Sequence, residues 1–149
     1  MEKSIDESFA VLTAHFTKSL AIEPMAPEGY SSLSLALIGD AVYDLAARYY
    51  VMSGGDRSVN QLHRMKSKLV RAEAQAVAAD RIADGLSVRE MAVYKRGRNT
   101  KTHTAAKNAD IISYRKATGF EALVGWLFLA GRYERMMEII REALRMDYE

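Results

Sequence analysis

The sequence predicts an all-α domain. Apolar residues recur at spacings of three and four along almost the whole chain, and alternating strand-like runs closed by Gly or Asn-Gly hairpin turns are absent. With no Cys in 149 residues, no disulfide, zinc ribbon or thiol nucleophile is available, and a hydrophobic core must hold the fold together. A chain of this length buries about 68–70% of the surface its unfolded form exposes, enough for a real core. One domain over 1–149 suffices, with an N-terminal helix and loop in 1–30 and the core in 31–146.

A first helix is expected over about Ile5 to Leu20, with Phe9, Leu12, Phe16 and Leu20 on one stripe, ending before Pro24 and Pro27. A second starts near Ser31 or Ser32, either of which can cap it, and runs largely buried to the Gly54-Gly55 stop. Its core stripe reads Leu35, Ile38, Val42, Leu45 and Tyr49. Ser58 or Asn60 caps a long helical stretch to about Ala83, broken once near Val70. Ser87 and Glu90 have capping-box spacing and open a short helix to about Lys95. From Arg96 to Asn108 the apolar periodicity vanishes among Gly, Asn, Thr and basic residues, which predicts a surface loop. Helical spacing resumes from Asp110 to Ala130, and a last amphipathic helix covers about Arg132 to Arg145.

The formal net charge of +2 hides an uneven distribution. Residues 1–30 carry Lys3 and Lys18 against Glu2, Asp6, Glu7, Glu23 and Glu28. Arg57 to Ala72 holds five Lys or Arg and no acid, and Met91 to Ala109 holds five more, again with none. Two acid-free basic stretches point to a polyanion as partner. The longest apolar run, Ala122 to Gly131, falls far short of the roughly 20 residues that span a bilayer. The acidic N-terminus is unlike a secretory signal or transit peptide, so the expected location is cytoplasmic, without membrane contact. No phosphate-loop or nucleophile-elbow motif is present, and none of the three His has metal-ligand spacing to another.

Two carboxylates sit inside otherwise apolar helices: Asp40 in LALIGDAVYDL and Glu121 in GFEALVGWLFL. Burying an ionised carboxylate costs several kcal/mol unless a partner or a metal compensates. Asp40 and Asp44 lie one turn apart on a face that Ala36 extends, while Glu121 shares its face with Thr118 and Gly125. A Gly one turn after Glu121 lets another helix pack closely. Oxygen ligands converging from facing helices suit a hard divalent cation, magnesium above all. The alternative is a solvated i,i+4 pair of Asp44 with Arg48 and a wetter setting for Glu121.

These residues also carry a resemblance. Leu37-Ile-Gly-Asp-Ala-Val-Tyr-Asp44 resembles the signature helix of the ribonuclease III family, and Phe120-Glu-Ala-Leu-Val-Gly125 its second acidic helix. Leu62 to Val70, the Lys95-Arg-Gly-Arg-Asn99 segment, Lys107-Asn108 and Tyr114-Arg115 resemble the small Mini-ribonuclease III branch, in the same order. The likeness covers about residues 33 to 146. It implies a ribonuclease III-like helical endonuclease domain, acting as a homodimer on double-stranded RNA with magnesium and leaving 5′-phosphates and 3′-hydroxyls. It also implies maturation of bacterial large-subunit (23S) ribosomal RNA ends, with a ribosomal protein on the precursor as a possible further partner.

Residue by residue, Asp40 matches the family's catalytic aspartate and Glu121 its catalytic glutamate. Two other family acids fall on Ala36 and Thr118, so one magnesium held by Asp40 and Glu121, with waters and RNA phosphate completing its shell, is the expectation. Asp44 is assigned as an outer or structural acid and Thr118 as a water-positioning hydroxyl. Lys95, Arg96, Arg98, Asn99, Lys101 and Lys107 are assigned to RNA phosphates and 2′-hydroxyls, with Gly97 letting the backbone approach the RNA. Arg64 and Lys68 either widen that footprint or keep a helix soluble. Two rival readings are a ribonuclease III-like RNA-binding module without cleavage, and a helical protein whose basic loop meets an acidic protein.

Overall fold

The structure, a computed structural model, describes residues 3–101 and 110–145. Seven α-helices lie within them: α1 (Ile5–Ser19), α2 (Ser32–Met52), α3 (Val59–Val70), α4 (Ala72–Ile82), α5 (Val88–Arg98), α6 (Ile111–Leu129) and α7 (Tyr133–Arg145). Two 3-10 turns, Pro27–Gly29 and Ala83–Gly85, punctuate them, and the described residues contain no strand. The helix starts follow the capping chemistry. Ser31 accepts from the Ser34 amide at 3.1 Å, and Ser58 and Ser87 each form full capping boxes with Gln61 and Glu90. The break expected near Val70 falls on Arg71, whose extended backbone (ψ 155°) separates α3 from α4.

α6 is the central element, and from Ala117 to Leu127 every residue except Glu121 is buried. α2 runs antiparallel along it, with Leu35 against Gly125, Gly39 against Glu121, and Tyr43 edge-on to Phe120 at 5.1 Å. α5 packs on the adjoining side, Tyr94 against Gly119 and Gly97 against Ala122. α4 is tied to α6 by Lys116 and Asp80 at 2.9 Å. The buried faces of α4, α5 and α7 close the core with residues such as Ala79, Val93 and Met136.

Three expectations are corrected. The buried stripe of α2 is Leu35, Ala36, Gly39, Tyr43, Ala47 and Val51, whereas Leu45 and Tyr49 are 65% and 76% exposed. The β-branched and aromatic residues suggested the wrong stripe because the close contact with α6 selects small residues. α2 is therefore half-exposed, not largely buried. α1 buries no residue, and Leu12, Phe16 and Leu20 of its apolar stripe are exposed. It is held instead on α7, where Phe9 stacks on Tyr133 at 5.2 Å and Asp6 accepts from the Glu134 amide at 2.8 Å. Finally, α5 runs three residues past Lys95, so Arg96, Gly97 and Arg98 are helical and not part of a loop.

Candidate active site

Two glycines bring the acids together. A Cβ on Gly39 would lie 1.8 Å from the Glu121 carbonyl oxygen, and one on Gly125 would lie 1.9 Å from that of Leu35. The backbones of α2 and α6 thus touch at two points one turn apart, which only residues without Cβ permit. Asp40 follows Gly39 directly, so the contact delivers its side chain to the edge of α6 where Glu121 emerges. The two carboxyls face each other there. Burial first, and the Asp40 charge second, push the Glu121 carboxyl up to about 8. Near neutral pH it is largely protonated. Of the pair only Glu121 is substantially buried, while Asp40 is exposed, so the burial argument holds for the glutamate and not for the aspartate.

Asp44, one turn beyond Asp40, is engaged elsewhere. Its carboxylate accepts from Arg48 Nε at 2.6 Å and lies 3.3 Å from Lys66 Nζ of α3. Partial burial alone would lift its pKa, but these two cations hold it below the usual carboxylate range. Lys66 is the participant that sequence reasoning missed; its ammonium side chain is only 12% exposed. Thr118 is buried, with its hydroxyl donating to the Tyr114 carbonyl at 3.0 Å. Among the described residues no cluster of three or more His, Asp or Glu could hold a metal, so any ion there would lean on the Asp40–Glu121 pair.

The assigned cations lie on α5, which packs on α6, and on α3. Lys95 and Arg96 are exposed on the last turn of α5, and Arg98 sits over the Tyr94 ring at 5.7 Å while donating to Asn99 at 3.2 Å. Asn99 caps the helix and Lys101 follows, exposed. Gly97 does not offer backbone to a ligand; it is buried in the α5–α6 contact. Arg64 and Lys68 are exposed on α3. Lys107 lies outside the described residues. The strongest buried ion pair, Glu90 with Arg135 at 2.9 Å, is structural: burial would raise the Glu90 pKa, but Arg135 and the Ser87 amide hold it low.

Residues 33–132 match the Ribonuclease III domain family. The chain belongs to the ribonuclease III family. A Mini-ribonuclease 3 of Brevibacillus brevis is 45% identical over 117 residues, 78% of this chain and 87% of that protein. One of a Thermoanaerobacter species is 44% identical over 130 residues, 85% and 92% of the two chains. A crystal structure of a Fusobacterium nucleatum protein superposes with a TM-score of 0.71 at 28% identity, covering 79% of this chain and 94% of that one. The family makes this ribonuclease III domain an endoribonuclease, so the acid pair on α2 and α6 lies in a nuclease fold. No helix among the described residues is long and apolar enough to cross a membrane.

Proposed function

We propose that this ribonuclease III domain is a cytoplasmic, homodimeric, magnesium-dependent enzyme that cuts double-stranded regions of precursor RNA. Its natural substrate on this reading is the 23S ribosomal RNA precursor, with a ribosomal protein bound to it as a further partner. The observation that carries the reading is the meeting of Asp40 and Glu121 across the glycine contact of α2 and α6. Burial and the facing Asp40 charge both disfavour ionisation of Glu121, which raises its pKa. A hard divalent ion would relieve that conflict, and magnesium accepts a shell built from two carboxylates with waters and RNA phosphate. Bound there, magnesium supplies an acidified water and neutralises charge on the phosphate, chemistry that needs no His or Cys.

The chain's own residues have the following parts. Asp40 and Glu121 hold the ion, Glu121 giving up its proton to do so. Asp44 is engaged by Arg48 and Lys66 and is not a ligand. Thr118, whose proton is committed to Tyr114, can offer only oxygen lone pairs to a water. Lys95, Arg96, Arg98, Asn99 and Lys101, with Lys107 and with Arg64 and Lys68 on α3, grip phosphates and 2′-hydroxyls across the shallow groove of A-form RNA. The homodimer is supported by a stripe along α2 of exposed apolar residues: Leu33, Leu37, Leu45, Tyr49 and Met52 are between 45% and 77% exposed.

The test is cleavage of an end-labelled RNA duplex and of a ribosomal precursor, with and without magnesium, by the native protein and by Asp40→Asn. Metal-dependent cutting that disappears in the variant, with RNA affinity within a few fold, is the expected result. Cutting that survives chelation or the substitution would overturn the assignment of Asp40.

A further inference from the structure

We propose that Gly97 is a positioning residue for cleavage: its contact with α6 sets how far the cations of α5 stand from the acid pair. This rests on the reading that Lys95 and Arg96 hold the RNA. Gly97 lies inside α5, where glycine is less favourable than alanine; its packing gives the reason it stands there. A Cβ there would come to 2.9 Å from the Ala122 Cβ, 3.0 Å from the Gly119 Cα and 3.4 Å from the Thr118 carbonyl oxygen. Ala122 is the neighbour of Glu121, so the point of contact is one residue from the acid. Opposite, a Cβ on Gly119 would lie 2.7 Å from the Tyr94 carbonyl oxygen. The same Tyr94 carries Arg98 on its ring. The last turn of α5 is therefore pressed onto α6 by two glycines facing each other's helices, which fixes the backbone that carries Lys95 and Arg96 against the helix that carries Glu121.

A methyl group at 97 must push the last turn of α5 away from α6. The cations remain exposed and still bind RNA, but the phosphate they hold no longer registers with Asp40 and Glu121. Misplacement by about 1 Å can cost 10²-fold in rate. Gly97→Ala is expected to lower the cleavage rate at saturating protein at least tenfold, while affinity, measured in an Asp40→Asn background, stays within threefold. Adding Ala122→Gly removes the nearest obstructing atom and is expected to restore at least threefold of the lost rate. A saturated rate within twofold of native, a defect confined to affinity, or no rescue would overturn the proposal.

If Gly97→Ala does not fold, Ala122→Gly alone decides. The loosened contact should then slow cleavage at least threefold at unchanged affinity, and a native rate would overturn the proposal. Arg96→Ala, made in parallel, reads the underlying assignment. Native RNA affinity in that variant removes the assignment of α5 to RNA and the proposal with it, whereas weakened binding beside a native Gly97→Ala rate removes the proposal alone.

Discussion

Glu121 is the residue in which folding and function oppose each other most directly. Its carboxyl rises from an ordinary value of 4.5 to about 8 because it is buried and faces Asp40. A carboxyl whose pKa is raised by folding binds its proton more tightly in the folded state. In metal-free buffer the fold should therefore lose stability as pH climbs from about 4.5 to 8, with the whole cost present above that. Glu121→Gln keeps the shape and removes the charge. Its thermal midpoint at pH 8.5 is expected to exceed the native one, and the gap should close near pH 5. Magnesium should raise the native midpoint and leave the variant unmoved, since only a folded state that binds the ion gains from it. Calorimetry at the two pH values checks this, and equal midpoints at pH 8.5 would place the charge in water. At this scale the sequence was informative. An acid in a run as apolar as GFEALVGWLFL stands out whatever the fold. Asp40 was found for a weaker reason, because its own burial is slight and its importance comes from Gly39 beside it.

At the scale of the helix, local chemistry was legible and contact between helices was not. Serine caps, the Ser87–Glu90 capping box and the Gly stops were readable because the atoms involved lie within four residues of one another, while the boxes of Ser4 with Glu7 and Ser58 with Gln61 went unread. The exposed face of α2 was misjudged, and Gly97 was assigned to RNA, because both depend on which residue of another helix stands opposite. The α2–α6 contact makes a sharp forecast. Alanine at 39 would set a methyl carbon 1.8 Å from a carbonyl oxygen and 2.8 Å from the Gly125 amide nitrogen, backbone atoms that cannot swing aside. Overpacking of this kind costs about 1–3 kcal/mol and occasionally more. Gly39→Ala should reach the upper end and lose at least about 6 °C in midpoint, whereas Gly85→Ala, with nothing within 4 Å, should be nearly neutral. The end of α5 makes another. Replacing Lys95 and Arg96 with Ala leaves the helix intact and removes two exposed charges. It should reduce the slope of log affinity against log salt, each phosphate contact being worth roughly 0.9 in that slope for B-form DNA and a comparable amount here. An unaltered slope would put the RNA on another face.

Among the described residues, α2 leaves an apolar surface uncovered that adjoins Asp40. Along α2, Leu33 and Leu37, then Leu45, Tyr49 and Met52, are exposed at three- and four-residue spacing, with Ala41 on the turn between the two groups and Leu37, 77% exposed, one turn from Asp40. The stripe continues into a cavity of about 470 Å³ between α1, α2 and α7, lined by Phe9, Leu45, Tyr49, Met136 and Ile140 among others. Single exposed leucines need no explanation, but a continuous row of them on a monomer does. A second copy of the chain covers such a row with the same row, as a two-fold axis requires, and would set two acid pairs on either side of one interface. Light scattering should therefore give twice the chain mass for the native protein. Leu37→Glu and Leu45→Glu each place a charge in the middle of the stripe, where it has no partner in an apolar interface and full hydration in a monomer. Since neither side chain supports the core, each substitution should leave helicity intact and cost the monomer within about 0.5 kcal/mol, while shifting the mass to that of one chain at micromolar concentration. Variants that keep the doubled mass would place the interface on another surface, and a native protein with the mass of one chain would show that the stripe has no partner in its own kind.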